Sequence, residues 1–288
     1  MNDQAESLRL KLTKMAEGSG TKAIAVVSGK GGVGKSNFSL NFSLSLVKSG
    51  SSVLLLDMDI GMGNIDILMG RSSGKTIVDF LQGSSSLKDV VLTGFGGIDY
   101  IAGGSGLSQL VRMEEDQVNF LIQELEALLG KYEYVIFDMG AGINEESLRF
   151  LLSADEIFVV TTPEPTSIMD AYATMKFLYL ANPELPFFLI ANKSPSPREG
   201  EETLKRLSNV LKKFLSIEPI KLGIIPEDRS IQQAVSRQIP FLELNPKSSA
   251  SKALTDLAER YKQNKLKDTQ QVTSLPFVSK LKKFLFER

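Results

Sequence analysis

The chain has 288 residues, with 33 Lys and Arg against 34 Asp and Glu and a formal net charge of −1. It contains neither cysteine nor histidine, which excludes disulfide frameworks, thiolate metal sites and histidine general bases. Chemistry is left to carboxylates, lysines, backbone amides and a hard cation, the inventory of phosphoryl transfer. The balanced charge offers no global attraction for phosphate backbones, so no nucleic-acid partner is expected. No apolar run nears the roughly 20 residues that span a bilayer, and residues 1–14 lack a signal-type apolar stretch.

From the N-terminal side, residues 23–28 (Ala-Ile-Ala-Val-Val-Ser) form a short apolar, β-branched run that predicts a buried parallel strand. The glycine-rich stretch Gly29-Lys30-Gly31-Gly32-Val33-Gly34-Lys35-Ser36 follows. Helical spacing then takes over, with Phe38, Phe42, Leu46 and Val47 on one face and Gly50 as the stop. Further buried strands are predicted at 53–57, 134–138, 156–161, 187–192 and 220–225, with helices over 118–129, 167–180 and 201–214. This alternation predicts an α/β fold with a mostly parallel twisted sheet and helices on both faces, and the glycine-rich stretch between its first strand and helix makes it a single-domain P-loop NTPase. Functional groups in such sheets gather at the carboxyl ends of the strands.

The last stretch differs. Residues 262–273 are polar and linker-like, and Pro276 suits a first helical turn. Phe277, Val278, Leu281, Phe284 and Leu285 then share one helical stripe, with Lys280, Lys282 and Lys283 off it. That composition predicts an interfacial membrane helix. The expected organisation is 1–20 as a separate N-terminal segment, 21–262 as the main domain, 263–274 as linker and 275–288 as the membrane helix.

The pattern G-x-x-x-x-G-K-[ST] is met by Gly29, Gly34, Lys35 and Ser36. Glycines let the loop wrap so that the amides of Gly31, Gly32, Val33 and Gly34 approach phosphate oxygens. Lys35 is expected on the β- and γ-phosphates and the Ser36 hydroxyl on Mg²⁺. Asn192-Lys193-Ser194-Pro195 has no carboxylate at its fourth position to read guanine, whereas Asn192 suits an adenine edge. ATP is the expected nucleotide.

Lys30 extends the loop to K-G-G-V-G-K-S, and with it residues 22–261 resemble the MinD/ParA family of deviant Walker A ATPases. The resemblance implies an ATP-dependent homodimer in which Lys30 reaches the other subunit's phosphates. It also places Asp59 at the attacking water, Asp57 near the Mg²⁺ shell, Asp138 as the Walker B carboxylate, and residues 138–142 as a switch around the γ-phosphate. Pro226, Glu227 and Asp228 are implied beside the base. Asn37 stands where the family has threonine, and its amide can still reach the α-phosphate. Lack of cysteine sets aside the family's iron–sulfur branches. The run Asp3-Gln4-Ala5-Glu6-Ser7-Leu8-Arg9 resembles the D-Q-A-x-x-L-R segment of the flagellar number-control branch, the FlhG type. That resemblance implies a short helix, presenting Asp3, Gln4, Ala5, Leu8 and Arg9, which stimulates an FlhF-type GTPase. It further implies flagellar C-ring partners and a cytoplasmic protein that reaches the inner face of the cell membrane in its ATP state. A MinD-type division-site ATPase and a ParA-type DNA-partition ATPase stay as alternatives.

Overall fold

The computed structural model describes residues 21–59, 64–71, 74–76, 79–80, 84–103, 115–143, 145–267 and 277–286. In chain order the elements are β1 (Lys22–Val27), α1 (Lys35–Lys48), β2 (Val53–Met58), α2 (Ile65–Leu68), α3 (Leu87–Val90), β3 (Val91–Thr93) and β4 (Asp99–Ile101). There follow α4 (Glu115–Leu129), β5 (Tyr134–Met139), α5 (Glu145–Ser153), β6 (Glu156–Thr161), α6 (Pro165–Ala181) and β7 (Phe187–Ser194). The chain then continues through α7 (Pro197–Leu215), β8 (Ile220–Pro226), α8 (Arg229–Arg237), α9 (Phe241–Leu244), α10 (Ser249–Lys267) and α11 (Phe277–Phe286).

Among the described residues the strands form one eight-stranded sheet in the order β3-β4-β2-β5-β1-β6-β7-β8. Every pairing is parallel except that of β3 with β4. Six strands lie where the apolar runs predict them. β3 and β4, of three residues each, are additions at one edge.

Strand β1 shows why the runs are apolar throughout. Ala23, Ala25 and Val27 face one helical layer while Ile24 and Val26 face the other. The first layer brings Leu128 of α4, Phe150 of α5, Met175 of α6 and Leu207 of α7 onto the sheet. The second brings Phe38 and Phe42 of α1, Phe241 of α9 and Leu254 of α10. In that layer the rings of Phe42, Phe158 and Tyr261 meet at centroid distances of 5.3 to 5.7 Å. The Tyr261 hydroxyl donates to the buried Glu156 carboxylate at 2.6 Å. Burial first, and then that carboxylate, pushes the hydroxyl's pKa well above its ordinary value.

One expectation about the C-terminal part needs correction. Helix α10 does not stop at 262 but runs through Lys267. The added residues, Lys262-Gln263-Asn264-Lys265-Leu266-Lys267, are mostly good helix formers that extend a helix already anchored by Leu254, Leu257 and Tyr261. The apolar stripe of α11, expected to face a membrane, is seated on the protein itself in this structure. Phe277, Val278 and Leu281 are buried to 4, 5 and 0% exposure. Phe277 stacks on Phe137 at 4.8 Å and lies 6.4 Å from Phe150, and Lys280 pairs with Asp155 at 2.8 Å. An apolar stripe seeks any apolar partner, and here α4, α5 and β5 supply one. The side chains of Phe284 and Leu285, and the whole of residues 1–20, lie outside the described residues. No described helix is long and apolar enough to cross a membrane.

Candidate nucleotide-binding site

The loop between β1 and α1 is shaped by two glycines. A Cβ on Gly29 would stand 2.1 Å from the backbone carbon of Asp170, so only glycine lets the chain pass beneath α6. Gly34, with φ at 90°, is the N-cap of α1, and no side chain caps the first turn. The helix therefore presents its N-terminal amides, with the positive end of its dipole, to whatever anion the loop holds.

Below the loop, Lys35 is buried and its ammonium pairs with Asp138 Oδ1 at 2.8 Å. Ser39, one helical turn on, donates to the same oxygen at 2.8 Å. The other oxygen, Asp138 Oδ2, is buried with no hydrogen-bond partner. Asp57 stands opposite Asp138 in the β2–β5 register and accepts the amides of Asp59 and Ile65, each at 3.1 Å. Burial, and then repulsion by Asp138, pushes the Asp57 pKa up to about 6.

Two crowded carboxylates, one with an orphaned oxygen, call for a hard cation. Ser36 supplies a third oxygen, with its hydroxyl 3.4 Å from Lys35 Nζ. Among the described residues no cluster of three acidic side chains forms a metal cage. That donor set fits Mg²⁺, which keeps waters and takes phosphate oxygens beside one or two carboxylates.

Asp59 sits at the rim, where Asn64 donates to it at 3.4 Å. A Cβ on Gly140 would come within 3.2 Å of its Oδ1, so the glycine brings the 140–142 turn close to this carboxylate. Burial raises its pKa, Lys35 opposes the rise, and Asp138 adds to it. Lys30, by contrast, is partly exposed. Its ammonium donates to Glu164 and, at 3.2 Å, to Thr166, both at the start of α6 in the same chain.

A cavity of about 360 Å³ opens beside the loop, within the size range of small-molecule sites. Gly34, Asn37, Asn192 and Lys193 line the end nearest the loop. Ile225, Ile231, Val235 and Phe241 make apolar walls, and Gln232 and Ser236 add polar groups. Asn192 is one of the lining residues, and its Nδ2 donates to the Val33 carbonyl at 2.8 Å. Pro226, Glu227 and Asp228 follow directly on the lining residue Ile225 but are not themselves among the residues that line the cavity. Asp228 instead caps α8 through the Ser230 amide and accepts from Ser249 Oγ and the Ala250 amide at the start of α10. Burial pushes its pKa up, but these hydrogen bonds outweigh it and hold the group well below its ordinary range. A carboxylate so engaged has little capacity left for a base.

Sequence reading missed Ser39, Glu164 and the α8 wall. Ser39 was accessible from its four-residue spacing to Lys35. Ile231 and Val235 carry the same spacing on one face of α8.

A phosphate loop over a lysine–carboxylate pair, at the carboxyl ends of a parallel sheet, defines a P-loop nucleoside triphosphatase. The sequence model of the ParA family, described as NUBPL iron-transfer P-loop NTPase, matches residues 20–262. The chain belongs to that family. It is 37% identical over 239 residues to the antiactivator FleN of Pseudomonas aeruginosa, covering 83% of this chain and 85% of the relative. It is 36% identical to the flagellum site-determining protein YlxH of Helicobacter pylori, covering 83% and 81%. Among solved structures, the septum site-determining protein MinD of Pyrococcus horikoshii, complexed with Mg-ADP, superposes with a TM-score of 0.69 at 25% identity. That match covers 88% of this chain and all of the other. The protein is an ATPase that uses ATP and Mg²⁺.

Proposed function

We propose that this ATPase is a nucleotide switch that sets flagellar number or placement and acts as an ATP-dependent homodimer. The similarity to FleN and YlxH, covering 83% of this chain in each case, is the observation that carries this reading.

In the proposed cycle the amides of residues 31–36 and the ammonium of Lys35 bind the phosphates, Lys35 exchanging Asp138 for the β- and γ-oxygens. Asn37 donates to the α-phosphate. Ser36, Asp57 and the free oxygen of Asp138 would hold Mg²⁺, which would supply neutralisation of phosphate charge. Asp59 orients the attacking water from the rim. Lys30 leaves Glu164 and Thr166 to reach the phosphates of the second subunit. The base enters the cavity beside Asn192, between walls of isoleucine, valine and phenylalanine.

Two segments would convert the dimer into an output. Residues 1–20, through Asp3, Gln4, Ala5, Leu8 and Arg9, stimulate an FlhF-type GTPase, and C-ring components dock elsewhere on the molecule. Helix α11 exchanges its seat on α4 and α5 for the membrane, so that Phe277, Val278, Leu281, Phe284 and Leu285 enter the acyl boundary. Two anchors on one dimer multiply the attachment.

The reading is tested by counting flagella per cell in a deletion strain complemented with wild type, Lys35→Ala or a chain lacking residues 1–20. Wild type restores the number and Lys35→Ala does not. A shortened chain that hydrolyses ATP but loses number control supports the N-terminal role, as does GTPase stimulation by a peptide of residues 1–20. Unchanged flagellation in the deletion strain, with septa misplaced, overturns the flagellar reading in favour of division-site control.

A further inference from the structure

The carboxyl end of β7 departs from regular pairing where it passes the phosphate loop. Ala191 stands opposite Ile224 of β8 and Ser194 opposite Pro226, so β7 fits one more residue into this interval than its neighbour. Lys193, within that interval, has φ at 52°, in the left-handed region. The other described non-glycine residues with positive φ, Ser216 and Gln238, are C-caps of α7 and α8. Lys193 caps nothing.

Its side chain shows what the distortion achieves. Successive side chains of a regular strand leave opposite faces of the sheet. Here Asn192 and Lys193, though adjacent, donate to consecutive carbonyls of one loop: Asn192 to Val33 at 2.8 Å and Lys193 to Gly32 at 2.7 Å. A bulge re-aims side chains in this way. The lysine stem runs over the loop, since a Cβ on Gly34 would stand 3.8 Å from Lys193 Cε. The same residue lines the nucleotide cavity.

We infer that Lys193 is a positioning residue for ATP, one that holds the loop's amides toward the phosphates and walls the base with its methylenes. The inference rests on the reading of residues 29–36 as the phosphate loop. In a trans peptide the carbonyl of one residue and the amide of the next point in opposite directions. Holding the Gly32 and Val33 carbonyls on the β7 side therefore directs the Val33 and Gly34 amides away from it, into the loop. The backbone at 193 would suit glycine with less strain. A lysine there is explained by what its side chain does.

The test exploits effects of opposite sign. Lys193→Gly removes strain and tether together, so it raises the melting temperature of the nucleotide-free protein while weakening ATP binding. Lys193→Met keeps the stem without the donor, and raises the KM for Mg-ATP by about tenfold with kcat changed less than about twofold. Lys193→Arg restores a donor and recovers most of the affinity. Lys35→Ala, measured alongside, loses ATP binding if residues 29–36 cradle the phosphates. Wild-type ATP affinity in Lys35→Ala would overturn that reading and this inference with it. Lost binding in Lys35→Ala beside wild-type KM in Lys193→Met and Lys193→Gly would overturn the positioning role alone.

Discussion

The phosphate loop and helix α11 are both held against the body of the molecule, but by different physics. At the loop the contacts are directional. Lys35 and Ser39 converge on a single oxygen of Asp138, and Asn192 and Lys193 each take one loop carbonyl. At α11 the hold comes mainly from three buried apolar side chains, with the ion pair of Lys280 and Asp155 at their edge. Directional contacts demand particular residue types at particular spacings. Apolar burial asks only for hydrophobic area. A stripe of this kind suits a groove or a lipid surface, so the membrane attachment proposed above would compete with the seat on α4 and α5.

Four measurements would break or sharpen that contrast. The largest effect is expected at the loop. Lys35→Ala lowers kcat/KM for ATP by about 10²–10³ or more. It also costs about 3–5 kcal/mol in urea unfolding, because Asp138 is left buried and unpaired. Retained stability would mean that the pair does not hold this end of the sheet. At the other end, Phe277→Ala removes a ring stacked on Phe137 and should cost about 3–5 kcal/mol in the same assay. A loss under about 1 kcal/mol would mean that α11 is seated only loosely.

The third measurement is pH dependence in metal-free protein. Asp57 titrates near 3.8 when unfolded and at about 6 when folded, so the native state binds the proton more tightly. Its contribution is complete below about pH 4 and is lost as pH rises through about 6, a swing of about 3 kcal/mol. Asp57→Asn should flatten that part of the urea midpoint curve, and an unchanged curve would show that Asp57 is not the group responsible. The smallest effect concerns the edge of α11. Asp155→Asn keeps an acceptor for the Ala23 amide but weakens the Lys280 pair, by about 1 kcal/mol. Liposome co-sedimentation without ATP should then rise about fivefold. No rise would indicate that the apolar contacts alone decide where α11 sits.

The same contrast explains what could be read in advance. The central strands were legible because a strand covered on both faces must be apolar at every position, as residues 23–27 and 53–56 are. The P-loop was legible because glycines, lysine and serine occur at fixed intervals. β3 and β4 escaped notice because three residues, such as Asp99-Tyr100-Ile101, carry no periodicity. The engagement of Asp228 at the N-termini of α8 and α10 was not legible, because Ser249 and Ala250 are brought to it only by the fold. Lys193 stood in plain view within Asn192-Lys193-Ser194-Pro195. Only the bulge, a matter of pairing between distant strands, shows which way it faces. For α11 the amphipathic pattern was correct, and its environment was not contained in the pattern.

Phe137 and Asp138 are neighbours on β5, yet one ring lies beneath α11 while the next carboxylate holds Lys35. A single rigid peptide plane joins them, and only the dihedrals on either side can absorb a displacement. In mechanical terms that plane is a shared axle, loaded by nucleotide chemistry at one end and by an aromatic stack at the other.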